Sequence, residues 1–499
     1  MTISRSAGIL LHPTSLSGPE GIGTLGAQAR AFVDRLAEAG QTWWQVLPLN
    51  APGHGGSPYS ATSAFAGNAM MIDLEPLRDA GWLTRPELDE LEQQMARLPD
   101  DRVDYGELYE HKGKLLASAC ERWSADDSGT RGEFDSFLAR ESEWLDDYAL
   151  FMVLKRHHGG GEWREWPIEY VERRSDALQK ARVEHAEELR KVEFNQWIFF
   201  RQWHQLRDYA AERGVKFIGD IPIFVAMDSA DVWANREIFQ MDEDGNVEEV
   251  SGVPPDYFSK TGQKWGNPLY DWEAIREQNF KWWLDRLQKV LDTVDLVRID
   301  HFRGFQAYWA VPADAPTAES GEWREGPKDA LFEAIRDDIG EVPFIAEDLG
   351  MITDDVLELR DRHDLPGMKV MKFADWDDPD HIFLPDNYER NFVAYTGTHD
   401  NDTTRGWYDS LDEMQRHKVR QYLQCDDEDV VWKMIEAVFE SEAALAIVPV
   451  QDIFELGTEA RMNNPGANGD NWLWRMPEGL IERGDAWERL RVVTQESDR

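Results

Sequence analysis

Apolar residues in this chain gather in eight short runs separated by longer amphipathic stretches. The runs fall at 9–11 (within GILLHPTSL), 42–49 (TWWQVLPL), 216–224 (KFIGDIPIF), 296–299 (LVRI), 343–350 (PFIAEDLG), 368–373 (MKVMKF), from 392 (FVAYTGTHD) and 443–452 (AALAIVPVQD). Short apolar runs of this kind read as buried strands. Helical periodicity lies between most of them, at 27–39, about 193–213, 280–291, 328–339, 353–363 and 430–439. The first helix has Thr24 as a start signal and Gly40 as its stop. Strands alternating with helices pair in parallel through right-handed crossovers. Polar residues collect at the C-terminal ends of the runs. The pattern predicts an α/β chain folded as a (β/α)8 TIM barrel with inserted helical and loop subdomains and an active site on the face where the strands end.

Three regions interrupt the rhythm. The stretch 51–68 (APGHGGSPYSATSAFAGN) is dense in Gly, Pro and Ser and predicts a shaped surface loop. The stretch 251–272 (SGVPPDYFSKTGQKWGNPLYDW) mixes Gly, Pro and aromatics and predicts a binding loop. Its Tyr257, Phe258 and Trp265 would cover the site and keep water from a reaction intermediate. From 81 to 195 the chain is strongly charged, with helical periodicity as at 176–190. The division expected is one catalytic barrel over 1–499, with a helical insertion at 81–195, an active-site loop region at 225–275 and a helical insertion at 401–440. There is no internal repeat or low-complexity segment.

Charge narrows the partners. The formal net charge is −43, with 96 acidic against 53 basic residues, and the first 100 residues contain no lysine. Such a surface excludes nucleic acid and anionic membranes, both of them polyanions. Acid dispersed along the chain with few lysines is the pattern of a protein adapted to high salt, where counterions screen the self-repulsion. The run Asp426, Asp427, Glu428, Asp429 reads as a solvated face rather than a metal site. Cys120 and Cys425 give neither a disulfide framework nor metal spacing and fit a reducing compartment. The N-terminus is too poor in apolar residues for a secretory signal, and no run approaches the length of a membrane span. A cytoplasmic protein is expected. The 22 Trp suit a core and, secondarily, platforms for sugar rings.

The chemistry centres on DLVRIDHFRGF, 295–305. Side chains alternate along a strand, so Arg298 and Asp300 share a side, and the nearby cation is expected to lower the pKa of the acid. Glu347 ends the fifth strand and Asp400 the seventh. Neighbouring strands lie about 4.8 Å apart, so Asp300 and Glu347 should face one another, with Asp400 coming from further round the ring. A retaining glycosidase needs two carboxylates about 5–5.5 Å apart, one as nucleophile and one as acid/base. Asp300, beside Arg298, suits the nucleophile. Glu347, after the apolar Phe344, Ile345 and Ala346, suits the acid, which must hold its proton at rest. Asp348 should point the other way. His301 and His399 next to two of the acids leave a metal centre as the second reading of the site, opposed by Arg298 and Arg303. Each acid taken singly is more often a structural partner; three at the tops of one barrel favour chemistry.

VRIDHFRGF, IAEDLG and YTGTHDND together resemble the amylomaltases, the 4-α-glucanotransferases or disproportionating enzymes of glycoside hydrolase family 77, related to the α-amylase clan. LHPTSL, LPLNAPGHGGSPYSATSAFAGN, GDIPIFV, GVPPDYFSKTGQKWGNPLY, GMKVMKF and RMNNPG are similar to further segments of that family, so the resemblance covers essentially the whole chain. It implies Asp300 as nucleophile, Glu347 as general acid/base and Asp400 as the third acid, which fixes sugar hydroxyls. It implies Arg298, His301 and His399 as residues around the cleaved bond, and Asp220 as a residue orienting the site. Tyr59, Asp256, Tyr257, Phe258, Gln263, Trp265 and Asn267 become glucan contacts, and Tyr105 and Tyr109 an outlying sugar contact. The chain departs from the family at His54 and Gly56, where relatives carry tyrosine and aspartate, and at Asn463-Asn464-Pro465-Gly466, which has no aromatic before the proline. The activity implied is transfer of a 1,4-linked glucan segment to the 4-OH of glucose or another glucan, with maltooligosaccharides and glucose as partners. No cofactor is expected. GDIPIFVAMDSADVW lacks the calcium-site pattern of the clan's amylases, so no metal is expected either. A retaining α-glucan hydrolase is the alternative; a non-catalytic glucan-binding barrel is a third reading, opposed by the intact set of acids.

Overall fold

The structure of the protein is a computed structural model that describes residues 3–126, 129–242, 244–255, 259–341, 343–467 and 469–499, without the side chain of His54. Twelve strands are found among them: β1 (Ser6–Leu10), β2 (Trp43–Gln45), β3 (Lys216–Pro222), β4 (Glu249–Val253), β5 (Gln263–Pro268), β6 (Leu296–Asp300), β7 (Ala307–Pro312), β8 (Glu322–Glu325), β9 (Phe344–Ala346), β10 (Gly367–Val370), β11 (Phe392–Tyr395) and β12 (Leu445–Pro449).

Eight of them, one from each apolar run, pair in parallel in the order β10-β11-β12-β1-β2-β3-β6-β9. The ring closes where the Ala346 N–H donates to the Pro366 carbonyl at 2.9 Å, joining β9 to the entry of β10. Strands β1, β2, β9, β11 and β12 are buried at every position. Covered on both faces, such strands read as continuous apolar runs rather than alternating ones. The helix Ala27–Glu38 shows how the layers lock. Its Phe32 meets Trp44 of β2 edge-on at 4.8 Å, and Trp44 packs on Phe217 of β3 at 5.2 Å. The buried Trp44 indole donates to the Leu11 carbonyl at 2.7 Å, satisfying its one polar atom. This helix starts from Gly26 rather than Thr24 and has no side-chain cap, because a side chain at Gly26 would occupy the space of the Asp73 carboxylate. It stops before Gly40, whose φ of 74° lies in the left-handed region.

The helices Lys281–Leu291, Asp329–Asp338, Asp354–Arg362 and Val430–Glu440 stand where periodicity predicted them. The one read at about 193–213 begins earlier, as Ala186–Ala211. Long helices also follow β2, among them Tyr105–Ala125 and Arg131–His157.

One feature departs from the sequence reading. The stretch 251–272 is not only a loop. It holds β5 and most of β4, which join β7 and β8 in an antiparallel sheet of order β5-β4-β7-β8. Gly252, Gly266 and Pro268 mask any strand signal there, and β4 pairs not only with the nearby β5 but with β7, more than fifty residues away, with Gly252 opposite Trp309. Asp256, Tyr257 and Phe258 lie outside the described residues.

Candidate active site

Arg298 and Asp300 sit two apart on β6 and share a side, as the alternation requires. The Arg298 guanidinium, 3% exposed, places Nη1 2.9 Å from Asp300 Oδ1 and 2.7 Å from Asp220 Oδ2. Asp220 stands directly opposite Arg298 on β3 and also accepts the Tyr59 hydroxyl at 3.0 Å. Its side chain has no exposure, and burial pushes its pKa up to about 7 against the pull of Arg298. Asp220 is thus tied to Arg298 and Tyr59 beneath the cleft.

Past Asp300 the backbone turns sharply. His301 adopts φ 55° and ψ 49°, a left-handed conformation that costs a non-glycine residue about 1–2 kcal/mol. The turn is tight enough that a side chain at Gly304 would crowd Ile223 and the His301 ring. It aims the His301 N–H at Glu347 Oε2, at 2.7 Å. The His301 ring stands edge-on to Trp265 at 4.8 Å, and burial lowers its pKa to about 3, so the imidazole is neutral.

Glu347 is the first residue past β9. Ile299 pairs with Ala346, so Asp300 and Glu347 are the next positions in register on adjacent strands. The Glu347 carboxylate also accepts the Leu349 N–H at 3.0 Å. Burial raises its pKa to about 8; Arg298 opposes this and Asp300 reinforces it. Burial raises Asp300 as well and outweighs Arg298, contrary to the lowering expected from sequence. Direct contact with the guanidinium still separates the two acids. The guanidinium touching Asp300 favours the charged form of that acid against its burial, and Glu347 has no such contact.

Asp400 follows β11. Its Oδ1 accepts the Asn463 amide at 2.6 Å and lies 3.4 Å from His399 Nε2, while Arg461 donates to its backbone carbonyl at 3.0 Å. The Asn463 N–H binds the His399 carbonyl at 3.1 Å, so the segment after β12 straps this pair in place. The His399 ring stacks on Tyr59, with centroids 5.3 Å apart and planes 12° apart, and Trp472 packs against both rings. Burial lowers the pKa of His399.

These groups line one open cleft of about 930 Å³, which takes in Tyr59, Gln263, Trp265, Asn267, Arg298, Asp300, His301, Glu347, His399 and Asp400. Asn267 is fixed by the Ser251 hydroxyl at 3.0 Å and the Val225 carbonyl at 2.9 Å. Trp265 is 37% exposed and offers a ring face. Asp348 does turn away: it accepts the Met368 N–H and pairs with Arg360. Arg303 lies over the Trp323 ring at 3.8 Å and donates to the Met351 carbonyl, bracing the turn rather than facing a sugar. Tyr105 and Tyr109 stack at 6.2 Å on the helix Tyr105–Ala125, outside the residues that line the cleft.

Sequence reasoning missed Lys372, Arg461, Asn463 and Trp472 as parts of this site. Lys372 is buried and donates to the Asp402 carbonyl at 2.6 Å. A lysine inside an apolar strand run was a usable signal; the other three carry none in their spacing. The donor set does not suit a metal, since a cation among the acids would face Arg298 and the Asn463 amide.

The chain is similar to known proteins over its full length. A family profile described as 4-alpha-glucanotransferase matches residues 11–481. The chain is 48% identical to the 4-alpha-glucanotransferase of Thermus thermophilus over 100% of both chains. It is 44% identical to the chloroplastic/amyloplastic 4-alpha-glucanotransferase of Solanum tuberosum, covering 95% of this chain and 82% of the relative. The amylomaltase of Streptococcus agalactiae, solved in complex with acarbose, superposes with a TM-score of 0.95 at 36% identity, covering 99% of each chain. A barrel whose β6 and β9 end in paired acids, with this extent of similarity, has one placement: the chain belongs to the 4-α-glucanotransferases, glycoside hydrolase family 77.

Proposed function

We propose that Asp300, Glu347 and Asp400 carry out the glucan transfer of this family by a retaining double displacement. Asp300 attacks the anomeric carbon of a bound 1,4-α-glucan while Glu347 gives its proton to the departing glycosidic oxygen. The departing glucan leaves with a new 4-OH, and the remaining segment is joined covalently to Asp300. Glu347, now a carboxylate, takes the proton from the 4-OH of glucose or another glucan, which displaces Asp300 and restores the starting state. Asp400 accepts hydroxyl hydrogen bonds from the sugar whose ring becomes oxocarbenium-like. Tyr59 and Trp265 offer ring faces, and Gln263 and Asn267 polar edges, to the flanking sugars.

One observation carries the assignment: Arg298 is 2.9 Å from Asp300, while Glu347, on the adjacent strand, has its pKa raised to about 8. Two carboxylates with opposite protonation are what acid and nucleophile require.

The substrates are maltooligosaccharides, a reading supported by the acarbose bound to the Streptococcus agalactiae amylomaltase. Among the described residues no helix is long and apolar enough to cross a membrane, which suits the cytoplasm as the site of action. The net charge of −43 supports work at high salt. Incubation with maltotriose tests the function. Glucose with a ladder of longer oligomers is the expected product; glucose and maltose alone would mean hydrolysis.

A further inference from the structure

Away from the cleft, one set of imidazole and carboxylate groups converges among the described residues: His157, His185 and Glu188. His157 ends the helix Arg131–His157, His185 sits at the joint between the helices Ser175–Glu184 and Ala186–Ala211, and Glu188 lies in the first turn of the latter. Glu188 Oε1 is 2.8 Å from His157 Nε2 and 3.4 Å from His185 Nδ1, and one ligand atom from each of the three residues lies within 4.8 Å of the others. The two imidazole rings have centroids 4.1 Å apart.

The geometry points to a binding site for a divalent transition-metal ion of the zinc type, held by His157 Nε2, His185 Nδ1 and Glu188 Oε1, with water completing the shell. Two imidazoles and one carboxylate form a common zinc donor set, and bonds of about 2.0–2.1 Å set at tetrahedral angles put neighbouring ligand atoms roughly 3.3 Å apart. The two separations to Glu188 straddle that value, so small side-chain rotations suffice. Arg156 lies near the other carboxylate oxygen, Oε2, at 3.5 Å, and leaves Oε1 free to ligate. Side-chain exposures of 42% for His157, 21% for His185 and 32% for Glu188 give a dissolved ion a path in. A carboxylate hydrogen-bonded to one histidine, with a second imidazole nitrogen 3.4 Å away, is an arrangement in which an ion can replace a proton.

The placement suggests what such an ion does. It closes the chain segment 157–185, whose other side rests on the turn after β3. There the Trp163 indole donates to the Met227 carbonyl at 2.8 Å, and the Trp163 N–H to Asp228 Oδ1 at 3.2 Å. The same turn continues Ile223 and Phe224, which form part of the cleft wall. The ion is a structural clip for that wall and takes no part in the chemistry.

The test uses the full chain stripped with EDTA. Calorimetric titration with Zn2+ should give one saturable site per chain, and Co2+ should give the absorption bands of a tetrahedral complex. His157→Gln, His185→Gln and Glu188→Gln should each weaken Zn2+ binding by about tenfold or more. Zn2+ should raise the melting temperature of the stripped wild type and leave that of each variant unmoved. Maltotriose transfer by the stripped wild type, measured well below its melting temperature, should be unchanged. Undiminished Zn2+ binding in a folded His157→Gln/His185→Gln variant would assign the ion to other surface histidines and overturn the site. So would the absence of saturable binding to the stripped wild type, whatever the variants do.

Discussion

The backbone N–H of His301 donates to Glu347 Oε2 at 2.7 Å, from a residue held in the left-handed region. The residue after Asp300 thus positions the carboxylate of Glu347. A strained turn on β6 fixes the geometry of both carboxylates at once, and its strain is offset by a hydrogen bond to the acid.

Trapping the intermediate assigns the two acids. Asp300→Ala should lose activity by about 10⁴-fold or more, as for a nucleophile acting within a catalytic unit. Glu347→Gln, given a donor whose leaving group needs no proton, should accumulate a glycosyl-enzyme. Mass spectrometry of a digest should find that adduct on Asp300; an adduct on another residue would reverse the roles.

Glu347 should set the alkaline limit of the reaction. Its pKa is about 8 in the fold and about 4.3 in an unfolded chain, so the folded state binds the extra proton. The stability it contributes is complete below about 4.3 and is lost as pH rises towards about 8. kcat/KM should fall roughly tenfold per unit above about pH 8, as the required proton leaves. The melting temperature of Glu347→Gln relative to wild type should shift in the variant's favour between pH 6 and pH 9. A flat profile up to pH 10 would show that Glu347 is not the acid.

Asn463→Ala should cost activity without unfolding the protein. It removes the 2.6 Å hydrogen bond to Asp400, and bonds to charged groups are worth about 1.5–3 kcal/mol. If Asp400 meets sugar mainly in the transition state, kcat should fall by about 10–100-fold with KM little changed. An equal rise in KM would mean that Asn463 serves ground-state binding instead.

Trp265→Ala should change what the enzyme makes. The exposed ring lies against His301 at the mouth of the site, so its loss should weaken acceptor sugars more than water. Glucose release and oligomer growth on maltotriose, measured in parallel, should show a lower ratio of transfer to hydrolysis. A uniform loss of both would return Trp265 to a packing role.

Salt should stabilise the fold. With a net charge of −43, self-repulsion is screened as ionic strength rises. The melting temperature should climb steadily from low to molar KCl, and a flat series would dismiss adaptation to salt.

The barrel was legible because its strands are buried on both faces and therefore appear as uninterrupted apolar runs such as 443–452. The positions of the acids were legible because Asp300 ends its strand, Glu347 follows its strand at once and Asp400 comes a few residues after β11. The second sheet was not: β8 is exposed at all four positions, and β4 finds its second partner, β7, beyond β6. Arg461 and Asn463 were legible only as members of a resembling segment, and Trp472 not at all, since they reach the site through a strap after the last strand, where residue type and spacing say nothing of direction. The sign of the Asp300 shift also depends on burial depth, which a local Arg–Asp pattern does not carry.

The antiparallel sheet has an evolutionary consequence. Its strands β4 and β5 precede β6 in the chain, while β7 and β8 follow it, and the central pairing is β4 with β7. The sheet therefore straddles the strand that bears Asp300 and is no self-contained cassette. Replacing 249–268 alone would strand the edge of β7, and replacing 307–325 alone that of β4. A chimera that imports this wall of the cleft from a relative must take both pieces together, so the specificity they shape is inherited as a linked pair.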